Sequence, residues 1–238
     1  LTSPWDLEID VVNGKIYWTE DIPTGGNIKR ANLSDGSNVE PIVTGISGGA
    51  LGVAVDPLRS KLFYTVFGTG AVFSANLDGT NAAQISGLSA IADIDVDYIT
   101  GRIYTIDYGS DQLAKSDADG NNKIFITGTN GLFIEYADVT TPTITNILRQ
   151  NPSGTNAFVG GTAVFRVFFS EPMLNVDVTD FELATGGAHT TGTLSITPVG
   201  TVKTLWDVRV SNIAGTGTLN LNIAASHDLI DTRGNPFA

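Results

Sequence analysis

A short pattern occurs three times in the first half of the chain and constrains the fold more than any other feature. Each pass has an acid, a turn, a basic residue, Ile or Leu, and an aromatic residue at the same offsets. The three passes are Asp10 to Tyr17, Asp56 to Phe63 and Asp97 to Tyr104. An Asp-Gly pair follows each pass, at Asp35-Gly36, Asp78-Gly79 and Asp119-Gly120. A period of about 40 residues with strand-like contents indicates a repeat architecture, most often the blades of a β-propeller.

The first pass shows how each repeat divides into strands. Leu7, Ile9 and Val11 alternate with polar residues, which is the period-2 signature of a strand. Asn13-Gly14 is a strong signal for a tight hairpin turn into the next strand. Read in this way, every pass contains four antiparallel strands, and residues 1–137 are predicted to hold three four-stranded blades. The predicted blades are about 4–46, 49–87 and 90–128.

Two stretches of the repeat resemble a known family. Tyr17-Trp18-Thr19-Glu20 is similar to the Tyr-Trp-Thr-Asp signature of low-density-lipoprotein-receptor class B repeats. Asn76-Leu77-Asp78-Gly79 resembles the Asp-Gly turn of the same family. The resemblance implies a β-propeller over roughly residues 4–128, and it implies no particular ligand, because related propellers include receptor modules, surface proteins and enzymes.

The number of repeats leaves three arrangements open. Propellers generally have at least four blades, and the class B family closes with six, whereas this chain has three passes. Further blades could precede residue 1 in a longer parent chain. Two copies could close a six-blade ring as a dimer. The three blades could instead stand as an open wedge that packs on the second domain or on a partner.

The 40-residue period ends before the second half of the chain. Residues 138–141 are short, polar and followed by Pro142, so they are predicted to be a linker. The runs that follow, in residues 142–238, have the spacing of short strands in a β-sandwich. Phe168-Phe169-Ser170-Glu171-Pro172 and Asp231 to Asn235 are similar to bacterial immunoglobulin-like surface-protein repeats. Members of that family have a further closing strand, so we expect this sandwich to lack its last strand or to receive one from another chain. The predicted fold class is therefore all-β, a partial β-propeller followed by an immunoglobulin-like β-sandwich.

Composition excludes several classes of site. The 238 residues include no cysteine, which excludes disulfides, thiolate metal sites and a cysteine nucleophile. The net charge of −12 argues against a nucleic-acid partner, because phosphates would be repelled. No apolar run is long enough to predict a membrane span.

Recognisable catalytic motifs are absent from the sequence. Ser226-His227-Asp228 contains the residue types of a catalytic triad, but neighbours along a chain do not converge as a triad requires. His189 and His227 lie in separate segments and do not predict a zinc site. The sequence analysis therefore predicts that the chain is not an enzyme.

Acidic side chains on two predicted first strands are the candidate metal site. The candidate ligands alternate along these strands and therefore share a face: Asp6, Glu8, Asp10, Asp93, Asp95 and Asp97. In a propeller the first strand of each blade lines the central channel, and clustered carboxylates suit Ca²⁺. Two other interpretations stay open, namely solvated acids that satisfy turn backbone and a carboxylate pair for acid–base chemistry. The repeated acids Asp10, Asp56 and Asp97 are expected to cap the turn that follows them. No cofactor other than Ca²⁺ is predicted.

These observations predict a non-catalytic extracellular binding, adhesion or display module, as a fragment of a larger bacterial surface protein. One alternative is a structural subunit of a surface fibre assembled by strand or blade sharing. Another is a metal-dependent propeller hydrolase or lyase, which would need a metal ringed by Asp or a perturbed acid in a deep pocket. The expected partner is an unidentified protein or glycan, with self-association through open blade or sandwich edges.

Overall fold

The structure is a computed structural model that describes residues 3–22, 25–87, 91–127, 131, 133–151, 161–190 and 192–238. The chain forms two compact units, Leu1–Ala137 and Asp138–Ala238. Both units are built from β-strands, and across the described ranges the one helical element is a 3-10 turn at Val178–Asp180. None of the described segments forms a helix with the length and apolarity needed to cross a bilayer.

Three four-stranded antiparallel sheets make up the first unit, and in each sheet the strands pair in chain order. The first sheet contains β1 (Pro4–Asp10), β2 (Lys15–Glu20), β3 (Gly26–Asn32) and β4 (Glu40–Ile46). The second sheet contains β5 (Ala50–Asp56), β6 (Lys61–Val66), β7 (Ala71–Asn76) and β8 (Ala83–Gly87). The third sheet contains β9 (Ile91–Asp97), β10 (Arg102–Asp107), β11 (Gln112–Ser116) and β12 (Ile124–Thr127). This meander arrangement is compatible with a propeller-like fold.

Strand register is the same in the three sheets because the repeated residues fix the turns. Asp10 pairs with Lys15 across the first hairpin, as Asp56 pairs with Lys61 in the second sheet. Each repeated acid also accepts hydrogen bonds from the backbone of the turn after it: the Asp10 carboxylate accepts from the Asn13 N–H at 2.9 Å. These side chains satisfy turn amides that strand pairing leaves free, as the sequence predicted.

Consecutive sheets pack through apolar cores. Between the first and second sheets the core includes Tyr17 and Ile28 on one side and Val53 and Val55 on the other. Between the second and third sheets Phe63, which is fully buried, lies against β9 and β10 residues of the next core. The second sheet is therefore covered on both faces, which explains why every residue of β5 is buried.

The second unit has its own core around one long strand. Its strands are β13 (Ile144–Asn151), β14 (Gly161–Phe169), β15 (Met173–Leu174), β16 (Phe181–Thr190), β17 (Leu194–Pro198), β18 (Leu205–Ile223) and β19 (Ile230–Asp231). The sheet order is β13-β14-β18-β16, β17 also pairs with β18, and β15 pairs with β19. Phe165, Trp206 and Val208 are among the buried side chains of this core.

One element of the second unit differs from the sequence prediction. In the sequence, residues 205–210 and 218–223 each have the pattern of a separate strand, and small and polar residues lie between them. The structure has a single 19-residue strand, because Ser211 to Gly217 extends between two sets of partners. Its first half pairs with β14 and β17 and its second half with β16, and Asn212 takes a left-handed conformation near the changeover. The small residues interrupt the alternation of apolar and polar residues in the sequence, but the strand continues through them.

Packing between sheets predicts that two Phe→Ala substitutions in the second repeat lower the free energy of unfolding by very different amounts. Phe63→Ala removes a fully buried ring between sheets and should lower the free energy of unfolding by about 3–5 kcal/mol. Phe67→Ala is the matched control, since Phe67 is 46% exposed in the following turn and should cost less than about 1 kcal/mol. Urea unfolding of both variants measures the difference, and equal losses would contradict the packing described here.

Candidate functional site

An acid-lined cavity lies where the first strands of the three sheets meet. β5 lies against both β1 and β9. The cavity has a volume of about 320 Å³ and includes carboxylates from both outer first strands and from the segment after the third sheet. Its acidic lining residues are Asp6, Glu8, Asp93, Asp95 and Glu135. Four of the six acids that the sequence proposed as ligands therefore share one cavity.

Hydrogen bonds to neighbouring backbone hold these carboxylates in place. One oxygen of Asp6 accepts from the Val53 N–H of β5 at 2.7 Å. Asp93 accepts in the same way from the Ile134 N–H at 2.8 Å, and Asp95 accepts from the Tyr136 N–H. The segment that contains Ile134 and Tyr136 thus lies beside β9 as β5 lies beside β1. The sequence did not predict this, because the segment carries neither an Asp-Gly turn nor the repeat motif.

Burial changes the acidity of two of these groups. Burial raises the pKa of Asp93 to about 7; the hydrogen bond from Ile134 opposes that rise, and the neighbouring Asp6 charge adds to it. Burial also raises the pKa of Asp6, against the hydrogen bonds that it accepts from Val53 and Leu7. A carboxyl with a pKa near neutrality can both take up and release a proton, as a general acid or base must.

The other two predicted ligands, Asp10 and Asp97, end β1 and β9 and accept hydrogen bonds from the turns that follow. The Asp10 carboxylate accepts from the Asn13 backbone and side-chain amides, at 2.9 and 2.7 Å. Asp97 accepts from the Ile99 and Thr100 N–H groups at 3.0 and 3.1 Å. Neither residue lines the cavity. Cation binding by any of the six acids stays a prediction.

A different acidic group comes together in the second unit. Within the described part of the chain, three acids have carboxylate oxygens that all lie within 4.8 Å of one another: Asp138, Glu171 and Asp231. Glu171 and Asp231 are buried. Both Glu171 oxygens lie 3.2 Å from the Thr140 hydroxyl, and Asp231 accepts from the Arg233 and Asn235 N–H groups at 2.8 Å.

The acidity of Glu171 in this group departs from its ordinary value. Burial raises the pKa of Glu171 to about 7, and the charges of Asp138 and Asp231 add to the rise. These three residues were not among the candidate ligands predicted from the sequence. A signal was present, because Glu171 and Asp231 lie in the two motifs that were noted for fold alone.

Comparison with solved structures gives similarity over part of the chain. A nidogen in complex with laminin is 28% identical, with 51% of this chain and 47% of that chain covered and a TM-score of 0.47. A gluconolactonase from Xanthomonas campestris is 13% identical, with 88% and 57% covered and a TM-score of 0.46. A calcium-binding regucalcin from Agrobacterium tumefaciens is 16% identical, with 51% and 44% covered and a TM-score of 0.42. The chain thus spans about half the length of these proteins. No protein-family model matches it, so the immunoglobulin-like resemblance has no support from these comparisons.

The prediction that the chain is not an enzyme is wrong as it was made. It rested on the absence of recognisable catalytic motifs, whereas the solved structures that the chain resembles include a gluconolactonase. The similarity by itself assigns no activity to this chain.

The raised pKa of Asp93 predicts a specific pH dependence of stability. Between about pH 4 and about pH 7 the folded chain keeps a proton on Asp93 that the unfolded chain has lost. The stabilising contribution of this group is full below about pH 4 and is lost as the pH rises through about 7. Asp93→Asn should therefore gain stability relative to wild type as the pH rises from about 5 to about 8.

Urea unfolding at the two pH values measures this change. Asp119→Asn is the matched control, because Asp119 is exposed in an Asp-Gly turn and hydrogen bonds to Asn121 lower its pKa. Glu171 contributes with the same sign, so the wild-type slope should fall in Asp93→Asn without vanishing. Parallel slopes for wild type and Asp93→Asn would contradict the assignment.

Proposed function

We propose that the chain is a divalent-cation-dependent enzyme of the hydrolase or lyase class, with the acid-lined cavity as its active site. The observation that carries the proposal is Asp93, a buried carboxyl with a pKa of about 7 inside a cavity of about 320 Å³. The enzyme alternative in the sequence analysis called for a metal ringed by Asp or for an acid with a shifted pKa in a pocket. Asp93 corresponds to the second of these. Asp93 would take a proton from substrate or water and return it to the leaving group.

The remaining acids are suited to hold a cation. Four further acids line the same cavity: Asp6, Glu8, Asp95 and Glu135. Hard cations such as Ca²⁺ take several oxygen ligands, and the hydrogen bonds from Val53 and Tyr136 orient two of these carboxylates. A bound cation would polarise a substrate oxygen and offset the negative charge of the cavity. The substrates that fit are therefore oxygen-rich and uncharged or anionic.

Calcium titration separates the cavity from the acidic group of the second unit. Isothermal titration calorimetry should detect Ca²⁺ binding to wild type, and Asp6→Asn should remove the component that belongs to the cavity. Glu171→Gln should leave that component and remove the one that belongs to Asp138, Glu171 and Asp231. Asp119→Asn is the control for a lost surface carboxylate and should bind as wild type does.

Turnover tests the catalytic part of the proposal. Chromogenic ester and lactone substrates should be hydrolysed in the presence of Ca²⁺, and Asp93→Asn should lower kcat by at least about 100-fold. Circular dichroism of the variant checks that the fold is kept. Turnover that survives Asp93→Asn unchanged, or the absence of turnover across the panel, would overturn the assignment.

A second proposal concerns extracellular binding, and the acidic group of the second unit favours it. Three carboxylates from Asp138, Glu171 and Asp231 provide few ligands, which suits the weak Ca²⁺ affinities of extracellular modules. Such a site would be filled outside a cell and empty inside one. A dissociation constant in the millimolar range for the component lost in Glu171→Gln supports this location, and a submicromolar value would contradict it.

A further inference from the structure

A second cavity is lined by residues next to those of the acid-lined cavity on the same first strands. Trp5 directly precedes Asp6 on β1, and Ala92 directly precedes Asp93 on β9. This cavity has a volume of about 280 Å³, and we call it the aromatic pocket. It shares no lining residue with the acid-lined cavity, so it is a separate site. Its lining residues are Trp5, Asp21, Leu51, Phe67, Ala92 and Tyr108.

The repeat places equivalent residues of all three sheets in the aromatic pocket. Asp21, Phe67 and Tyr108 each follow directly the last residue of the second strand of their sheet. That last residue pairs with the start of the first strand in every sheet: Glu20 with Pro4, Val66 with Ala50 and Asp107 with Ile91. Each sheet therefore contributes one residue after its second strand and one residue near the beginning of its first strand. The pocket is a consequence of the repeat and not of one irregular loop.

Buried threonines hold the backbone beside the pocket. β1 and β5 each have a β-bulge where they contribute to its lining. Within these bulges, the Asp6 N–H donates to the Thr19 hydroxyl at 3.1 Å and the Gly52 N–H donates to the Thr65 hydroxyl at 2.8 Å. Both threonines are fully buried, and the Thr19 hydroxyl donates to the Leu51 carbonyl oxygen at 2.6 Å. Bulges re-aim side chains beside functional sites, and these hydrogen bonds fix the walls of the pocket before any ligand binds.

Two aromatic side chains line this pocket with much of their surface exposed. Phe67 is 46% exposed and Tyr108 is 40% exposed, whereas Leu51 and Ala92 are buried. In the described part of the chain, neither ring packs against another aromatic ring. A single exposed apolar residue is ordinary on a protein surface. Two aromatic rings at the same repeat position beside one cavity instead indicate a binding pocket.

The charge around the pocket is negative. Asp21 supplies the carboxylate among the lining residues, and this carboxylate lies against Gly49, where a Cβ atom would overlap it. No Lys or Arg side chain of the described ranges forms an ion pair with Asp21. Residues 1–137 contain 17 acidic and 8 basic residues, a net charge of −9. The first unit therefore attracts cations and repels anions.

We propose that the aromatic pocket binds a small organic cation through an alkylated ammonium group. The rings of Phe67 and Tyr108 would contact the alkyl groups of the cation, because the face of an aromatic ring attracts such ions, and the Asp21 carboxylate would offset the charge. A cavity of about 150 Å³ holds a benzene molecule, so about 280 Å³ accommodates a trimethylammonium group with a short chain. A metal ion fits less well, since one carboxylate among apolar side chains provides too few oxygen ligands.

Isothermal titration calorimetry with choline tests the proposal. Choline should bind to wild type with a dissociation constant of about 1 mM or below. Its neutral analogue neohexyl alcohol, in which carbon replaces the charged nitrogen, has the same shape and should bind at least about fivefold more weakly. Choline binding should also weaken as salt screens the charge of the unit. Excess EDTA removes Ca²⁺, which keeps this test independent of the calcium titration and of turnover.

Substitutions in the pocket identify the groups that bind the cation. Phe67→Leu keeps an apolar side chain but removes the ring, so it should raise the dissociation constant of choline at least about fivefold, whereas Phe67→Tyr should keep it near the wild-type value. Asp21→Asn should weaken choline binding by a similar factor and leave the binding of neohexyl alcohol unchanged. Asp119→Asn is the matched control, because it removes an exposed carboxylate elsewhere in the first unit.

The outcomes separate a cation site from an apolar site and from general charge attraction. Circular dichroism should show the wild-type fold in each variant, because neither Phe67 nor Asp21 is fully buried. The proposal would be overturned by the absence of saturable choline binding, by equal affinities for choline and neohexyl alcohol, or by a Phe67→Leu variant that binds choline as wild type does. Equal losses in Asp119→Asn and Asp21→Asn would show attraction by the overall charge alone and would overturn it as well.

Discussion

Packing of one sheet on the next is the interaction on which the rest of the first unit depends. A four-stranded sheet with two apolar faces is not stable alone, because each face must be removed from water. The aromatic position of the repeat contributes to this cover, and Tyr17 and Phe63 are each at most 1% exposed. Full burial of such a ring contributes roughly 1.5–3 kcal/mol, which is large beside the marginal stability of a domain. This packing also brings the first strands side by side, and only then do their acids share a cavity.

The same residue type has two different uses in this unit because its surroundings differ. Asp56 and Asp93 are both buried. Asp56 accepts from two turn amides and pairs with the Arg59 guanidinium at 2.8 Å, so its charge is compensated locally. Asp93 accepts from Ile94 and Ile134 but lies near other carboxylates, so burial prevails and its pKa rises to about 7. A buried charge without a cation nearby is costly, and a proton or a metal ion can remove that cost.

The sequence predicted the parts of the fold that depend on local chemistry. Repeated turns and alternating residues gave the strands of three sheets, and the turn-capping role of Asp10 follows from its position before Asn13-Gly14. Contacts between distant segments were not predictable in this way. The segment around Ile134 carries no strand signal, yet its backbone donates to Asp93, and β18 continues through small residues because partners on both sides hold it. The cluster of Asp138, Glu171 and Asp231 likewise depends on convergence of three separate segments.

The acidic pattern of the first strands is interrupted in the second sheet, and at one of the two positions a steric constraint is visible. Gly52 stands in the second sheet where Asp6 and Asp93 stand in the other two. A Cβ atom on Gly52 would lie 2.6 Å from a carboxylate oxygen of Asp93 and 2.9 Å from its Cα atom. Any side chain at this position would therefore push β5 and β9 apart or displace the Asp93 carboxylate. The glycine thus belongs to the cavity as much as the acids do: it allows the close approach that buries Asp93, and that burial raises the pKa of its carboxyl.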